Sequence, residues 1–485
     1  VKGLLGRPEA ALFALALGVY AYFYQAGGWN QNARFDLVRA IVERGTLRID
    51  AYESNTGDKA RRDGHLYSDK APGVSLTALP MYAAVHAVAG EARETDRFQA
   101  AASYLCTVFA VALPSALAVV ALFVFSSEVL GLVPAASAAV ALAYAFGTLA
   151  FPYSTLLYGH QPAAALAFLA FVLLAQPRHG QAPAGAARLL VAGLALGWAV
   201  VVEYPAGLSA AVIGAYALAC VRPRGRLVCM AAGAAAALAV LFAYHTVAFG
   251  GPFDLPYSFS VQQPRHRGVF MGLGLPSGRV LGYLLFDEYR GLFYGSPWLL
   301  LAVPGAWMLF RDARLRAEAV VCVAVALVYL VLNASLTDWH GGWGMGPRHL
   351  VAALPFLAVL AAGVAAGGVV RPALLAVGGV AAAVSIFLMS VGTAVKPEVP
   401  RMIERPFHAY LLPAFFEGRL AVNTQSIDMM TGRGHVQRRA WNLGEFLGLE
   451  GLASLVPLEA YAAATGFWLM AALRARRSRG RAPPR

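Results

Sequence analysis

Twelve apolar stretches, separated by polar connections, constrain this chain more than any other feature. They run approximately over 9–26, 99–125, 133–151, 161–176, 188–203, 206–220, 227–249, 293–310, 317–334, 350–367, 373–393 and 453–473. A helix that crosses a bilayer needs about 20 apolar residues. Lipid offers no partner to a backbone N–H or C=O, so such stretches must fold as helices. Charged residues are 13% of the 485 positions, against roughly 25% in a soluble domain, which is too few to cover a globular surface. Apolar residues are 59%, which excludes disorder. The reading is an all-α polytopic membrane protein: one integral-membrane domain over 1–485 with about 12 transmembrane helices and outer-face juxtamembrane helices.

A thirteenth apolar segment, Gly73–Gly90, is short and holds Pro80 and His86. Charge decides its placement. The basic loops Arg178–Arg188, Arg222–Arg226 and Arg311–Arg316 and the tail 474–485 share a side with Lys2 and Arg7 only if this segment does not cross. The inner loops then carry about 17 Lys and Arg in about 59 residues, and the outer loops about 22 in about 200. That bias fits the positive-inside rule. Gly73–Gly90 is therefore expected to dip or lie along the membrane, and the first apolar run to be a retained signal-anchor. Both termini are expected in the cytoplasm of a bacterium, with the chain in its inner membrane.

The remaining polar sequence lies on the other side, in a first periplasmic loop over 27–98, further loops at 250–292 and 394–452, and a short one at Ser335–His349. About 20 of the 26 acids fall there. Long loops on one face place the chemistry at that surface. The four cysteines lie in apolar runs with no metal spacing and read as buried small hydrophobes. The basic tail reads as a topology anchor against anionic membrane lipids; no nucleic-acid partner is expected, since no binding fold accompanies it.

Two segments of the first loop carry chemistry. Asn30–Arg44 has Phe35, Val38, Ile41 and Val42 at helical spacing, as in an amphipathic surface helix, with Arg34 and Asp36 in its first turns. Gly64–Gly73 sets Tyr67, Asp69 and Lys70 before Ala71-Pro72 at a membrane boundary, where an ammonium suits a lipid phosphate. The order of these parts, Arg34-Phe35-Asp36 followed by Tyr67-x-x-Lys70-x-Pro72, resembles the multi-pass glycosyltransferases of the GT-C fold. The likeness is to family 39, the protein mannosyltransferase and lipid A aminoarabinose transferase branch. Phe146-Gly147-Thr148 through Tyr158-Gly159-His160-Gln161-Pro162, Tyr289-Arg290-Gly291-Leu292-Phe293 with Ser296-Pro297, and Gly341-Gly342-Trp343 with Gly346-Pro347-Arg348 extend it over most of the chain.

The resemblance implies inverting transfer of a sugar from a polyprenyl-phosphate donor to a glycan, lipid or protein acceptor of the cell envelope, with an outer-face carboxylate as base. It implies that Arg34, Tyr67 and Lys70 contact the donor phosphate. Arg348 can add a forked phosphate contact. The sequence departs from the aminoarabinose branch where that branch has its acid three residues before the arginine: Gln31 stands there, and His160 or Gln161 replaces a second acid. Asp36 is taken as the base, with Asp69 and Asp50 behind it. His65, His160, Gln161, Glu203, Arg290 and Trp343 are expected to line the substrate cavity. No metal ligand set and no cofactor is assigned, though His65, His160 and His266 leave a divalent cation open. The alternatives are a transporter or flippase for a lipid-linked glycan, and a non-catalytic subunit of an envelope complex.

Overall fold

The computed structural model describes residues 6–180, 184–261, 272–366, 372–421 and 440–479. Lys2, His266 with Arg265 and Arg267, and the tail beyond 479 lie outside the described residues. All but one of the apolar stretches fold essentially as helices, which close their own backbone hydrogen bonds. The helices are α1 (Pro8–Ala21), α2 (Trp29–Arg44), α3 (Gly73–Val88), α4 (Asp96–Val129, continuous through two π-turns), α5 (Pro134–Phe146), α6 (His160–His179), α7 (Ala186–Val202) and α8 (Ala206–Cys220). They continue as α9 (Leu227–Phe249), α10 (Gly278–Phe286), α11 (Ala302–Arg311), α12 (Arg316–Ser335), α13 (Arg348–Ala365), α14 (Pro372–Val395) and α15 (Val456–Arg479). Among the described residues seven helices are long and apolar enough to cross a membrane: α4, α6, α9, α12, α13, α14 and α15. The others on apolar stretches are shorter. The stretch at 293–310 is broken, because Pro297 has no N–H and a 3-10 turn over Pro297–Leu301 precedes α11.

Two small ribbons interrupt the helical plan. Strand β1 (Phe23–Gln25) pairs antiparallel with β4 (Ala440–Asn442), joining the end of α1 to the last long connection. Strands β2 (Lys59–Arg62) and β3 (His65–Ser68) form a hairpin. Its turn, Asp63-Gly64, has φ +49° and +80°, the backbone that a two-residue hairpin requires.

Helix ends alternate between two faces. One face gathers the ends at His160, Val202, Phe249, Ser335, Arg348 and Val395 with the long connections. The opposite face is tied by ion pairs and hydrogen bonds: Arg476 to Glu9 (2.6 Å), Gln176 to Glu128 (2.5 Å), and a buried cluster in which Glu318 accepts from Arg178 (2.5 Å), Tyr216 (2.7 Å) and His179 (3.0 Å). Helix α3 stays beside the long-loop face. Ser75 donates to the Arg34 carbonyl (2.8 Å), the Tyr82 ring meets Phe35 and Phe98, and the Tyr82 hydroxyl donates to Glu43.

Small residues set the spacing of the helices. A Cβ at Gly193 or Gly233 would overlap a carbonyl of the facing helix, so α7 and α9 approach backbone to backbone. Close approach of this kind is how apolar helices gain contact where lipid removes the hydrophobic drive.

Candidate functional site

The site grows from two helix ends. Helix α7 stops at Glu203, which turns extended (φ −155°, ψ 116°) two residues before Pro205. Helix α2 delivers Arg34 beneath it. Arg34 is buried, and its guanidinium donates to Asn30 Oδ1, the Ala71 carbonyl and Glu203 Oε2, each at 3.0 Å. One oxygen of Glu203 is thus held. The other, Oε1, lies 3.8 Å from His160 Nδ1 at the start of α6. The buried guanidinium of Arg34 is tolerated here because the partly buried carboxylate compensates it.

Glu203, His160, Lys70, Tyr204, Tyr257 and Arg348 line a cavity of about 460 Å³ on the long-loop face. Leu208, Leu332 and Leu336 supply an apolar wall, and Asp338, His349 and Arg401 complete the rim. The cations differ in kind. Lys70 sits between Asp58 (2.9 Å) and Asp69 (3.0 Å). Burial pushes the Asp69 carboxyl above the usual range; burial opposes the Lys70 ammonium, but its two acid neighbours hold it charged. Arg348 makes no ion pair among the described residues. It donates one long bond to the Trp343 carbonyl (3.4 Å), its guanidinium lies 5.7 Å from the centre of the Tyr158 ring, and its Nε has no partner there. The cavity therefore holds a guanidinium with no ion pair among the described residues and a carboxylate held at one oxygen.

Four of the expected site residues meet in this cavity: Lys70, His160, Glu203 and Arg348. Arg34 stands just behind it through Glu203. The others lie elsewhere. Asp36 is two residues beyond Arg34, about 200° around the helix; it is buried, accepts from Asn55 (2.9 Å) and does not line the cavity. Asp69 acts on the wall through Lys70. Asp50 accepts from the Leu66 N–H (2.7 Å) and pairs with half-exposed His65 (2.9 Å), so both serve the hairpin and not the cavity. His65 and His160 are not brought together. Tyr67 packs on Phe249 in a separate small core. Gln161 is buried and donates to Tyr144 (2.9 Å). Trp343 is outside the lining.

Arg290 also lies behind the cavity. Wholly buried, it donates to the carbonyls of His340, Gly342 and Gly344 at 2.8 Å each. That explains the glycines: Gly341, Gly342 and Gly346 have φ of +70°, +71° and +58°, values that let the loop fold its carbonyls onto one guanidinium. Tyr204, Tyr257, Asp338 and Arg401 are among the lining residues not expected from the sequence. Tyr204 adjoins Glu203, which the sequence singles out; nothing local marks Arg401, which arrives from the segment after α14.

The absent acid at position 31 has a physical cause. Gln31 donates to Glu398 Oε2 (2.9 Å), and Tyr158 donates to Glu398 Oε1 (2.5 Å). Burial pushes the Glu398 carboxyl up. A second carboxylate at position 31 would face this one. Gln31→Glu is expected to lower stability by about 1–3 kcal/mol, read as a lower thermal midpoint in detergent. Glu398→Gln in the same chain is expected to restore most of it.

No protein-family model matches the sequence, and no curated protein matches it. Solved structures do. The crystal structure of ArnT from Cupriavidus metallidurans bound to undecaprenyl phosphate is similar over 97% of this chain and 77% of that one, at 16% identity and a TM-score of 0.51. The apo structure of the same protein matches over 96% and 76%, at 16% identity and 0.52. The chain has the GT-C fold of an integral membrane protein.

Proposed function

We propose that the chain is an inverting glycosyltransferase that moves a sugar from a polyprenyl-phosphate donor to a cell-envelope acceptor. The membrane face is taken as periplasmic, in a bacterial inner membrane, with both termini cytoplasmic. The observation that carries the reading is the pairing of Arg348, a cation with no ion pair among the described residues, with Glu203, an acid held by one oxygen, in one cavity beside the membrane-spanning helices. The ArnT fold supports it, since that protein was solved with undecaprenyl phosphate bound.

The chemistry follows from the two poles. Breaking the bond between the sugar's C1 and the phosphate oxygen leaves an electron pair on a lipid phosphate. Arg348, with Arg401 and Lys70 lining the same cavity, stabilises that charge. The acceptor oxygen attacks C1 from the opposite side and gives its proton to Glu203 Oε1. The apolar wall of Leu208, Leu332 and Leu336 is suited to the first isoprene units of the donor.

The test is a transfer assay. Purified protein in detergent is given undecaprenyl-phosphate-linked sugars and a lipid and glycan fraction from an envelope, with and without a divalent cation. The expected result is a glycosylated product and free undecaprenyl phosphate. Lipid movement across vesicles with no transfer from any donor would overturn the reading in favour of a flippase.

A further inference from the structure

A tyrosine with a fixed hydrogen-bond polarity faces this cavity beside Glu203. The Tyr204 hydroxyl lies 2.9 Å from His245 Nε2, and His245 Nδ1 lies 3.1 Å from the Pro252 carbonyl. His245 is buried on α9. A carbonyl oxygen cannot donate, so Nδ1 carries the hydrogen. In the neutral ring Nε2 is then a lone pair, and the Tyr204 hydrogen points at it. Tyr204 lines the cavity with its own proton already committed. What it offers a ligand is an oxygen that only accepts.

Glu203 Oε1, the neighbouring group, also only accepts, while Arg348 in the same cavity only donates. An anionic phosphate is repelled by the first pair and drawn to the second. The group that settles against Tyr204 must bring its own hydrogen. We infer that Tyr204, held as an acceptor by His245, is a specificity-determining residue that receives a hydroxyl of the donor's sugar. This rests on the proposed transferase reading and names the group that would distinguish a sugar-bearing lipid from the bare lipid phosphate.

The experiment measures binding of two kinds of lipid to the purified full chain. One is undecaprenyl phosphate. The other is undecaprenyl phosphate carrying mannose, glucose or galactose. Wild type is expected to bind at least one sugar-bearing lipid more tightly than the bare phosphate. Tyr204→Phe is expected to weaken that lipid about tenfold, the worth of one hydrogen bond near the upper end of the usual range, and to leave undecaprenyl phosphate within about twofold.

Two His245 variants separate polarity from packing. His245→Gln can place a carbonyl where Nε2 stood and is expected to keep the preference for the sugar-bearing lipid. His245→Asn can still donate to Pro252 but leaves Tyr204 without an acceptor; its preference is expected to fall toward that of Tyr204→Phe. Three results overturn this inference alone: equal weakening of both lipids by Tyr204→Phe, no weakening, or identical behaviour of the Gln and Asn variants. Wild type binding the bare phosphate as tightly as all three sugar lipids overturns it as well. Wild type binding neither kind of lipid overturns the transferase reading and this inference together.

Discussion

Arg348→Ala is expected to cut binding of undecaprenyl phosphate and transfer from its sugar-bearing form by about a hundredfold, the scale of a lost charge-assisted contact. The reason lies in which cations are free. Lys70 already faces Asp58 and Asp69, at 2.9 and 3.0 Å, so a phosphate placed there meets two carboxylates as well as one ammonium. Arg348 has no ion pair among the described residues and one long hydrogen bond. Its removal leaves the anion without its main partner and disturbs little else, so the thermal midpoint is expected to stay near that of wild type. Arg348→Lys keeps the charge but not the fork and is expected to recover part of the binding. A larger loss on Lys70→Ala than on Arg348→Ala would make Lys70 the main phosphate contact.

Glu203→Gln is expected to lower the transfer rate by about 10²–10⁴-fold, the usual contribution of a positioned base, while donor binding changes little. The amide oxygen can still accept from Arg34, so the fold holds. Glu203→Ala is a different experiment. It strands the Arg34 guanidinium, whose side chain is 2% exposed, and is expected to cost about 3–5 kcal/mol of stability besides the activity. Asp36→Asn is the control for the sequence-based choice of base. Asp36 lies outside the cavity and keeps Asn55 as its neighbour, so transfer within a few fold of wild type is expected. Loss of transfer in Asp36→Asn with full activity in Glu203→Gln would reverse the assignment.

The sequence points to Asp36 as the base and the cavity points to Glu203, for a geometric reason. Arg34 and Asp36 share one short motif, and a motif in one dimension does not say which face of a helix each residue takes. Glu203 was legible as a membrane-embedded acid, but its partner Arg34 is 169 positions away. Gln31 looked like a lost catalytic acid; its role is visible only with Glu398, 367 positions on, in hydrogen-bond reach. The motif Tyr289–Phe293 puts Arg290 among the expected cavity residues, whereas four backbone carbonyls, those of Tyr289, His340, Gly342 and Gly344, occupy it. The hairpin at Lys59–Ser68 had its Asp-Gly turn in plain view and was not read as strands.

The apolar stretches by themselves determined that the chain is a bundle of membrane helices. An apolar segment in lipid has one way to satisfy its backbone, so pattern and length suffice. The order of the short motifs, with their resemblance to GT-C glycosyltransferases, pointed to the fold. Only the tertiary structure decided which charges meet. Ion pairs such as Arg34–Glu203 and the union of Arg348, Arg401 and Lys70 at one cavity depend on how helix ends from distant parts of the chain are brought together. Glycine contacts and helix rotation set that geometry, and neither is written in any local run of residues.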